Sequence, residues 1–122
     1  MASDRSDNLA ALARYYEHLE SAEFARAADQ FTEDVTYVHP PMYNDQTHIH
    51  GRDALLSYFR NVRGPRDHRY HLDRTLTGDQ SVAVVGYVTG PDSAEPHEYF
   101  VSYAELIDGR IEYYIGGLLG LN

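Results

Sequence analysis

The spacing of apolar residues changes near residue 66 of this 122-residue chain. Before that point apolar side chains recur every three or four residues, which is typical of one face of an α-helix, and after it they alternate with polar ones, as in strands. The first half therefore predicts helices with short strands between them, and the second half predicts long strands. The apolar faces of the three predicted helices are Leu9, Leu12, Ala13, Tyr16 and Leu19, then Phe24, Ala27, Ala28 and Phe31, then Leu55, Tyr58, Phe59 and Val62.

The helix boundaries follow from capping and breaking residues. Ser6 or Asp7 is suited to cap the first helix, and Ser21 the second, which should end near Glu33. Gly64 and the proline after it should stop the third helix, which begins at Arg52. Strands are predicted at residues 35–39, 47–50, 68–76, 82–89, 97–107 and 110–119.

Short connections containing glycine join the four long strands, at residues 78–79, 90–92 and 108–109. Connections of this length make consecutive strands antiparallel neighbours. The order of two helices, a strand, a short strand, a helix and a four-strand meander predicts an α+β fold, with helices on one face of a curved antiparallel sheet. A chain of this length has room for one core, so we expect a single domain over residues 1–122.

His39 stands at the end of the first predicted strand, directly before Pro40 and Pro41. Alternation places Tyr37 and His39 on one face, and the two prolines hold the chain extended as the strand stops. An imidazole with an ordinary pKa near 6.5 can take or give a proton at neutral pH. The alternative is a solvated histidine at a strand end.

Composition narrows the possible partners. Eleven tyrosines against four phenylalanines are suited to the wall of a pocket that holds a partly polar organic molecule. The net charge of −9 argues against a nucleic-acid partner, and the absence of cysteine excludes thiolate chemistry. No apolar run is long enough for a membrane span and no leader is evident, so we expect a cytoplasmic protein without a membrane partner.

The remaining histidines offer a second, weaker pattern. His48 and His50 share one side of a short extended piece, and His68 and His71 lie near Asp73 on the next long strand. Three histidines could meet around a metal ion, but the carboxylate spacing of a known site is missing. We therefore predict no metal and no cofactor. On the third strand the more apolar pair, Tyr70 and Leu72, should face inward rather than His71 and Asp73.

Three segments of the chain carry a recognisable pattern: Arg14-Tyr15, the turn Phe31-x-x-Asp34-Val35-x-x-x-x-Pro40, and His50-Gly51-Arg52-Asp53-Ala54. With the order of elements, they resemble the nuclear transport factor two-like superfamily, and within it the SnoaL-like and ketosteroid isomerase-like groups. The likeness covers residues 9–119 and implies an NTF2-like cone, in which the curved sheet and three helices enclose a pocket. These motifs are diffuse, and one such fold supports many different functions.

The isomerase pattern can be transferred one residue at a time. The resemblance places the tyrosine that binds the developing oxyanion at Tyr15 and the general base at His39, where the family has a carboxylate. The second oxyanion donor, a protonated acid in the family, falls at or near Tyr103. A histidine base and two phenols can replace these acids, because neither needs a large pKa shift at neutral pH. The expected substrate contacts are Leu19, Tyr58, Val84, Tyr99 and Val101.

The resemblance also implies a function. We expect a small-molecule-binding protein, an isomerase- or cyclase-type enzyme that transfers a proton on a carbonyl-bearing cyclic substrate. A dehydratase in which His71 joins His39 is an alternative, and so is a non-catalytic ligand-binding or dimeric scaffold domain. An epoxide hydrolase is less favoured, because the last strand lacks the acid and arginine set that such enzymes use to activate water.

A homodimer is the expected assembly. If Tyr99, Val101 and Tyr103 point into the pocket, alternation turns the intervening residues of that strand outward. Those outward residues, Phe100, Ala104 and Leu106, would form an apolar patch that water disfavours. Pairing through this face is also common in the superfamily that the chain resembles.

Overall fold

Three helices and two short strands form the first half of the chain, and four long strands form the second, as predicted. The computed structural model describes residues 5–41 and 45–119; residues 1–4, 42–44 and 120–122 lie outside the description. The elements are α1 (Arg5–Glu20), α2 (Phe24–Ala28), β1 (Phe31–Val38), β2 (His48–His50), α3 (Arg52–Tyr58) with a π-helical turn (Phe59–Arg63), β3 (Arg69–Thr77), β4 (Ser81–Thr89), β5 (Glu98–Ile107) and β6 (Arg110–Leu119).

The six strands form one curved sheet in the order β2-β1-β6-β5-β4-β3. The predicted antiparallel meander of β3 to β6 is confirmed, and β1 and β2 are also antiparallel. Strand β1 differs, because it runs parallel to β6, with Phe31 paired to Ile111 and Val38 to Ile115. The whole sheet is therefore mixed. Register shifts in the β3–β4 and β5–β6 pairs add bends of the kind that help a sheet to curl.

Two helix predictions need correction. Helix α2 ends at Ala28, not near Glu33, and Phe31 already belongs to β1. Backbone pairing decides this boundary, because the N–H of Ile111 donates to the carbonyl of Gln30 at 2.8 Å and draws the following residues into the sheet. The predicted caps are also wrong. Residues 6 and 7 lie inside α1, and Glu23, not Ser21, precedes α2 without a side-chain cap. The predicted stop at Gly64 agrees with the structure, since its φ of +65° ends the π-helical turn.

Helix α1 lies across the concave face of the sheet and contacts β3, β4 and β6. Its buried side chains recur at helical spacing, so a single face of α1 supplies one side of the core. The sheet supplies the other side through alternate residues of each strand. On the helix these residues are Ala11, Leu12, Tyr15, Tyr16 and Leu19, and on β4 they are Val82, Val84 and Val88.

Strand β5 alternates as predicted, but with its two faces exchanged. Its register with β4 sets the direction, because Ala104 pairs with the inward-facing Val82 and Ser102 with the inward-facing Val84. The prediction could not choose between two equally apolar faces, and only this cross-strand register distinguishes them. The buried residues are Phe100, Ser102, Ala104 and Leu106, whereas Tyr99, Val101 and Tyr103 lie on the outer face.

None of the helices formed by residues 5–41 and 45–119 has the length and apolar character needed to cross a bilayer.

Candidate functional site

A cavity of about 110 Å³ opens between α1, the end of β1 and the concave face of the sheet. An apolar cavity of about 150 Å³ is known to hold benzene, so this space is suited to one small ring rather than a large polycyclic molecule. Aromatic side chains dominate its wall. The lining residues are Tyr15, Tyr16, Leu19, Tyr37, His39, Pro40, Tyr58, Arg63, Arg66, His68, Tyr70, Val88, Glu98, Phe100, Val101, Tyr114, Gly116, Gly117 and Leu118.

Four buried phenols of this wall form two hydroxyl pairs. The hydroxyl oxygens of Tyr15 and Tyr37 lie 2.6 Å apart, and those of Tyr16 and Tyr114 lie 2.8 Å apart. Within such a pair one O–H donates to the other oxygen, so each pair keeps a second proton for another acceptor. The rings pack closely, with Tyr37 stacked on Tyr114 at a centroid distance of 4.6 Å. The pairs are therefore fixed, neutral hydrogen-bond donors.

Burial keeps these phenols protonated. It raises the pKa of Tyr15, Tyr37 and Tyr114 well above 10, because the phenolate would lose its hydration. Burial also raises the pKa of Tyr16, although the neighbouring hydroxyls of Ser102 and Tyr114 oppose the shift. A hydroxyl that stays neutral over the whole physiological range can donate to an oxygen on which negative charge develops.

His39 follows β1 directly and is 8% exposed. Its Nδ1 lies 2.7 Å from the carbonyl oxygen of Pro40, which can only accept, so Nδ1 carries the ring proton. The hydroxyl of Tyr58 lies 3.3 Å from the same nitrogen, and the two rings are 4.6 Å apart. The other nitrogen, Nε2, is buried and finds no hydrogen-bond partner among the described residues. The tautomer that this network selects places the basic lone pair on Nε2.

Burial lowers the pKa of His39 below 6.5, because the protonated ring would lose hydration. The positive charge of a protonated His48 lowers this pKa further, and the hydrogen bond to Pro40 opposes the shift. His39 is accordingly neutral at pH 7. A neutral imidazole with an available nitrogen can accept a proton.

The structure brings five of the predicted site residues to the cavity and places the other three outside its lining. Tyr15, His39, Leu19 and Tyr58 line it, as expected for their positions. Val101 reaches its edge from the exposed side of β5. The remaining three, Val84, Tyr99 and Tyr103, are not part of the lining.

Each of those three has a physical reason for its place. Val84 is fully buried within the core beneath the cavity wall. Tyr99 and Tyr103 belong to the outer face of β5, and the Tyr103 hydroxyl donates to the Glu105 carboxylate at 2.6 Å. That hydrogen bond raises the pKa of Tyr103. Tyr103, predicted as the second oxyanion donor, therefore does not line the cavity.

Several lining residues were not predicted as site residues. Tyr37 shares the face of β1 with His39, so alternation alone could have indicated it. Tyr16 belongs to the predicted apolar face of the first helix, and its hydroxyl gives no separate signal of a site. No sequence signal indicated Arg63 either. Arginine is usually exposed, whereas Arg63 is buried in a π-helical turn.

The four histidines considered for a metal site, His48, His50, His68 and His71, do not meet at one point. His48 and His50 are exposed on the edge strand β2. His71 stacks on Tyr87 and its Nε2 lies 2.9 Å from the Thr89 hydroxyl, outside the cavity lining. Within the part of the chain that the structure describes, no group of three or more histidine, cysteine or acidic residues is placed to hold a metal ion.

The orientation predicted for β3 is confirmed. Tyr70 and Leu72 pack against the core, as their apolar character indicates. His71 lies on the opposite face and so does not join His39, which removes the residue on which the dehydratase alternative depended.

The fold and the enclosed cavity define an NTF2-like cone. The model of the SnoaL-like domain matches residues 12–114, and the chain belongs to this family. No curated protein sequence matches the chain.

Solved structures share the same fold. A "putative ketosteroid isomerase" from Kribbella flavida DSM 17836 is 23% identical, with a TM-score of 0.73 over 98% of this chain and 83% of its own. An NTF2-like protein of unknown function from Burkholderia xenovorans LB400 is 15% identical, with a TM-score of 0.76 over 96% and 86%. An "LEH-like epoxide hydrolase" from M. tuberculosis is 13% identical, with a TM-score of 0.73 over 96% and 86%. At these identities the likeness shows the fold alone.

Proposed function

We propose that this protein is an isomerase- or cyclase-type enzyme that moves a proton on a small, carbonyl-bearing cyclic molecule. His39 acts as the general base, and the Tyr15–Tyr37 hydroxyl pair binds the carbonyl oxygen. Tyr37 thus takes the place that the sequence assigned to Tyr103. The expected ligand is a small hydrophobic ring compound, since most of the cavity wall is aromatic or aliphatic.

The reaction needs one base and one oxyanion donor. Nε2 of His39 takes a proton from the carbon next to the carbonyl, and the electrons of that C–H bond form the enolate. A phenolic O–H donates to the enolate oxygen without transferring its proton, since burial keeps these phenols neutral. The imidazolium then returns the proton to another carbon of the same ring system. Atoms and charge balance, and no cofactor is required.

The observation that carries this proposal is the hydrogen bonding of the buried His39. A histidine that only supports the fold usually has both ring nitrogens satisfied when it is buried. Here Nδ1 is held by Pro40, whereas Nε2 lacks a partner among the described residues. His39 also lines the same cavity as the phenol pairs, so a base and a donor share one small space.

The test uses a single-ring substrate that the cavity can hold. Conversion of 3-cyclohexen-1-one to its conjugated 2-isomer is followed by the rise in ultraviolet absorbance. His39→Gln should lower the rate by about 10²–10⁴-fold, because it removes the base but keeps a polar side chain. Tyr103→Phe is the matched control, since it deletes a phenolic hydroxyl on the outer face, and its rate should be unchanged. Equal rates for wild type and His39→Gln would refute the proposal.

A non-catalytic ligand-binding or scaffold domain is the second candidate. This candidate is favoured by the ring contacts among the site tyrosines, because tyrosines that pack against one another also serve as part of the core. A binding protein would retain the ring compound without converting it. Binding of 3-cyclohexen-1-one, followed by ligand-observed NMR, with no isomerisation by wild type would favour this candidate over the enzyme.

A further inference from the structure

The two walls of the cavity differ in chemistry. Tyr37 belongs to β1 and His39 follows it, whereas three ionisable lining residues precede β3, the strand at the other edge of the sheet, and a fourth begins β5. This second group consists of Arg63, Arg66, His68 and Glu98, and we call it the ionic wall. The proton-transfer chemistry proposed above makes no use of it.

Arg63 is the most enclosed member of the ionic wall, at 8% exposure. Its Nη1 donates to the Gly64 carbonyl at 3.0 Å, and its Nη2 donates to the Tyr70 hydroxyl at 2.7 Å. These bonds fix the plane of the guanidinium beside the cavity. Burying a charged group costs free energy, and an anionic ligand in the cavity would offset part of that cost for Arg63.

The ionic wall carries an excess of positive charge, in a protein whose net charge is −9. Arg63 and Arg66 face one carboxylate, that of Glu98, among the described residues that line the cavity. The field at His68 has the same sign. Burial lowers the pKa of His68, the charges of Arg66, Arg63 and a protonated His97 would lower it further, and Glu98 opposes them without reversing the shift.

We propose that the ionic wall binds a carboxylate carried by the substrate, so that the ligand is a single-ring oxo acid rather than a neutral ketone. This rests on the proposed function for the identity of the ring and its carbonyl. Guanidinium groups are suited to carboxylates, because their planar N–H donors match both carboxylate oxygens. Arg66 is exposed at the cavity margin, so it can meet a carboxylate that projects from a ring held inside.

The geometry also orients the substrate. A carboxylate held next to β3 directs the far side of the ring towards β1, where His39 and the Tyr15–Tyr37 pair lie. The carbonyl would then meet the phenols rather than the arginines. The ionic wall would thus bind the substrate, and the opposite wall would transfer the proton.

The test compares two matched probes, 4-oxocyclohexane-1-carboxylate and its methyl ester, by ligand-observed NMR at pH 7. Wild type should bind the carboxylate about tenfold more tightly than the ester, because a charged hydrogen-bond partner is gained. Arg66→Gln should remove most of this preference and leave the affinity for the ester unchanged. Glu98→Gln should strengthen binding of the carboxylate, because it removes the opposing charge.

Arg74→Gln is the matched control, since Arg74 is an exposed arginine of β3 outside the cavity lining. It should keep the preference of wild type. Equal affinity of wild type for both probes, or an equal loss of both with Arg66→Gln, would overturn the proposal. His39→Gln separates this proposal from the catalytic one, because it should stop isomerisation yet keep the preference for the carboxylate.

Discussion

Nδ1 of His39 donates to the carbonyl oxygen of the next residue, Pro40, at 2.7 Å. The acceptor is part of the main chain, so the tautomer of the ring is fixed without a carboxylate behind it. A carboxylate in that position would favour the imidazolium and raise the pKa of His39, whereas a neutral carbonyl does so less strongly. The result is a base that stays neutral at physiological pH.

The first prediction concerns the pH dependence of the rate. The pKa of His39 is lowered from 6.5, mainly by burial, so the basic form persists below that pH. The isomerisation rate should therefore be constant around pH 7 and fall only as pH drops through a value below 6.5. A rate profile from pH 4 to 8 measures this, and a midpoint above 6.5 would contradict it.

The lowered pKa of His39 should also make the folded protein less stable at acidic pH. Between 6.5 and the lower pKa of the folded protein, the unfolded chain binds a proton at His39 and the folded protein does not. Stability from this residue is thus complete above 6.5 and is lost as pH falls through the folded pKa. Because His68 shifts in the same direction, the measurement is the difference between wild type and His39→Gln in urea unfolding across this pH range.

A third prediction concerns the Tyr15–Tyr37 pair. Tyr15→Phe leaves the Tyr37 hydroxyl buried without its 2.6 Å partner, and Tyr37→Phe does the reverse. Each should lower the free energy of unfolding by about 1–3 kcal/mol. The double variant should cost less than the sum of the two, because it leaves no orphaned hydroxyl from this pair. Additive losses in urea unfolding would show that the hydroxyls do not depend on each other.

A fourth prediction tests the packing of the cavity wall at Gly86 of β4. A Cβ atom there would contact the carbonyl oxygen of His71 and lie 2.7 Å from the Phe100 ring. Gly86→Ala should therefore destabilise the protein by about 1–3 kcal/mol and displace Phe100, which lines the cavity. Gly90→Ala is the control, since no described atom lies within 4 Å of its Cβ position. Similar thermal melts for both variants would argue against this packing.

The fifth prediction is the assembly. Four apolar or aromatic side chains, each at least 36% exposed, lie on neighbouring strands in the middle of the outer face of the sheet. They are Val85, Val101, Tyr103 and Ile115, and they replace the buried Phe100, Ala104 and Leu106 as the expected dimer contact. Covering this patch with a second copy would remove apolar surface from water.

Sedimentation velocity at micromolar concentration tests that dimer. The double variant Val85→Glu and Ile115→Glu should shift the protein towards monomer, because it buries charge in the contact. Val62→Glu, an exposed apolar residue on the π-helical turn, is the matched control and should leave the sedimentation coefficient unchanged. A wild-type monomer would contradict the prediction.

The architecture could be predicted well from the sequence, because the turns and the alternation that define it lie within short segments of the chain. The meander followed from its short glycine turns, and the placement of Tyr37 and His39 on one face followed from alternation. The direction of β5 was not local information. Both of its faces are apolar, and only the pairing of Ala104 with Val82 and of Ser102 with Val84 determines which one is buried.

The candidate site was predicted in part for the same reason. His39 and Tyr15 were indicated by their motifs and line the cavity. The hydroxyl pairs and the buried Arg63 depend on contacts between distant segments, such as Tyr16 with Tyr114, which no short window of sequence contains.

The parallel pairing of β1 with β6 has a consequence for synthesis. Phe31 can meet Ile111 only after β6 has left the ribosome. Until then β1, which positions His39, lacks a neighbour on that edge, and the apolar wall of the cavity is open to other nascent chains. Contacts so distant in sequence slow folding and prolong this vulnerable period. A chain that stalls before β6 should therefore depend on chaperones to stay out of aggregates.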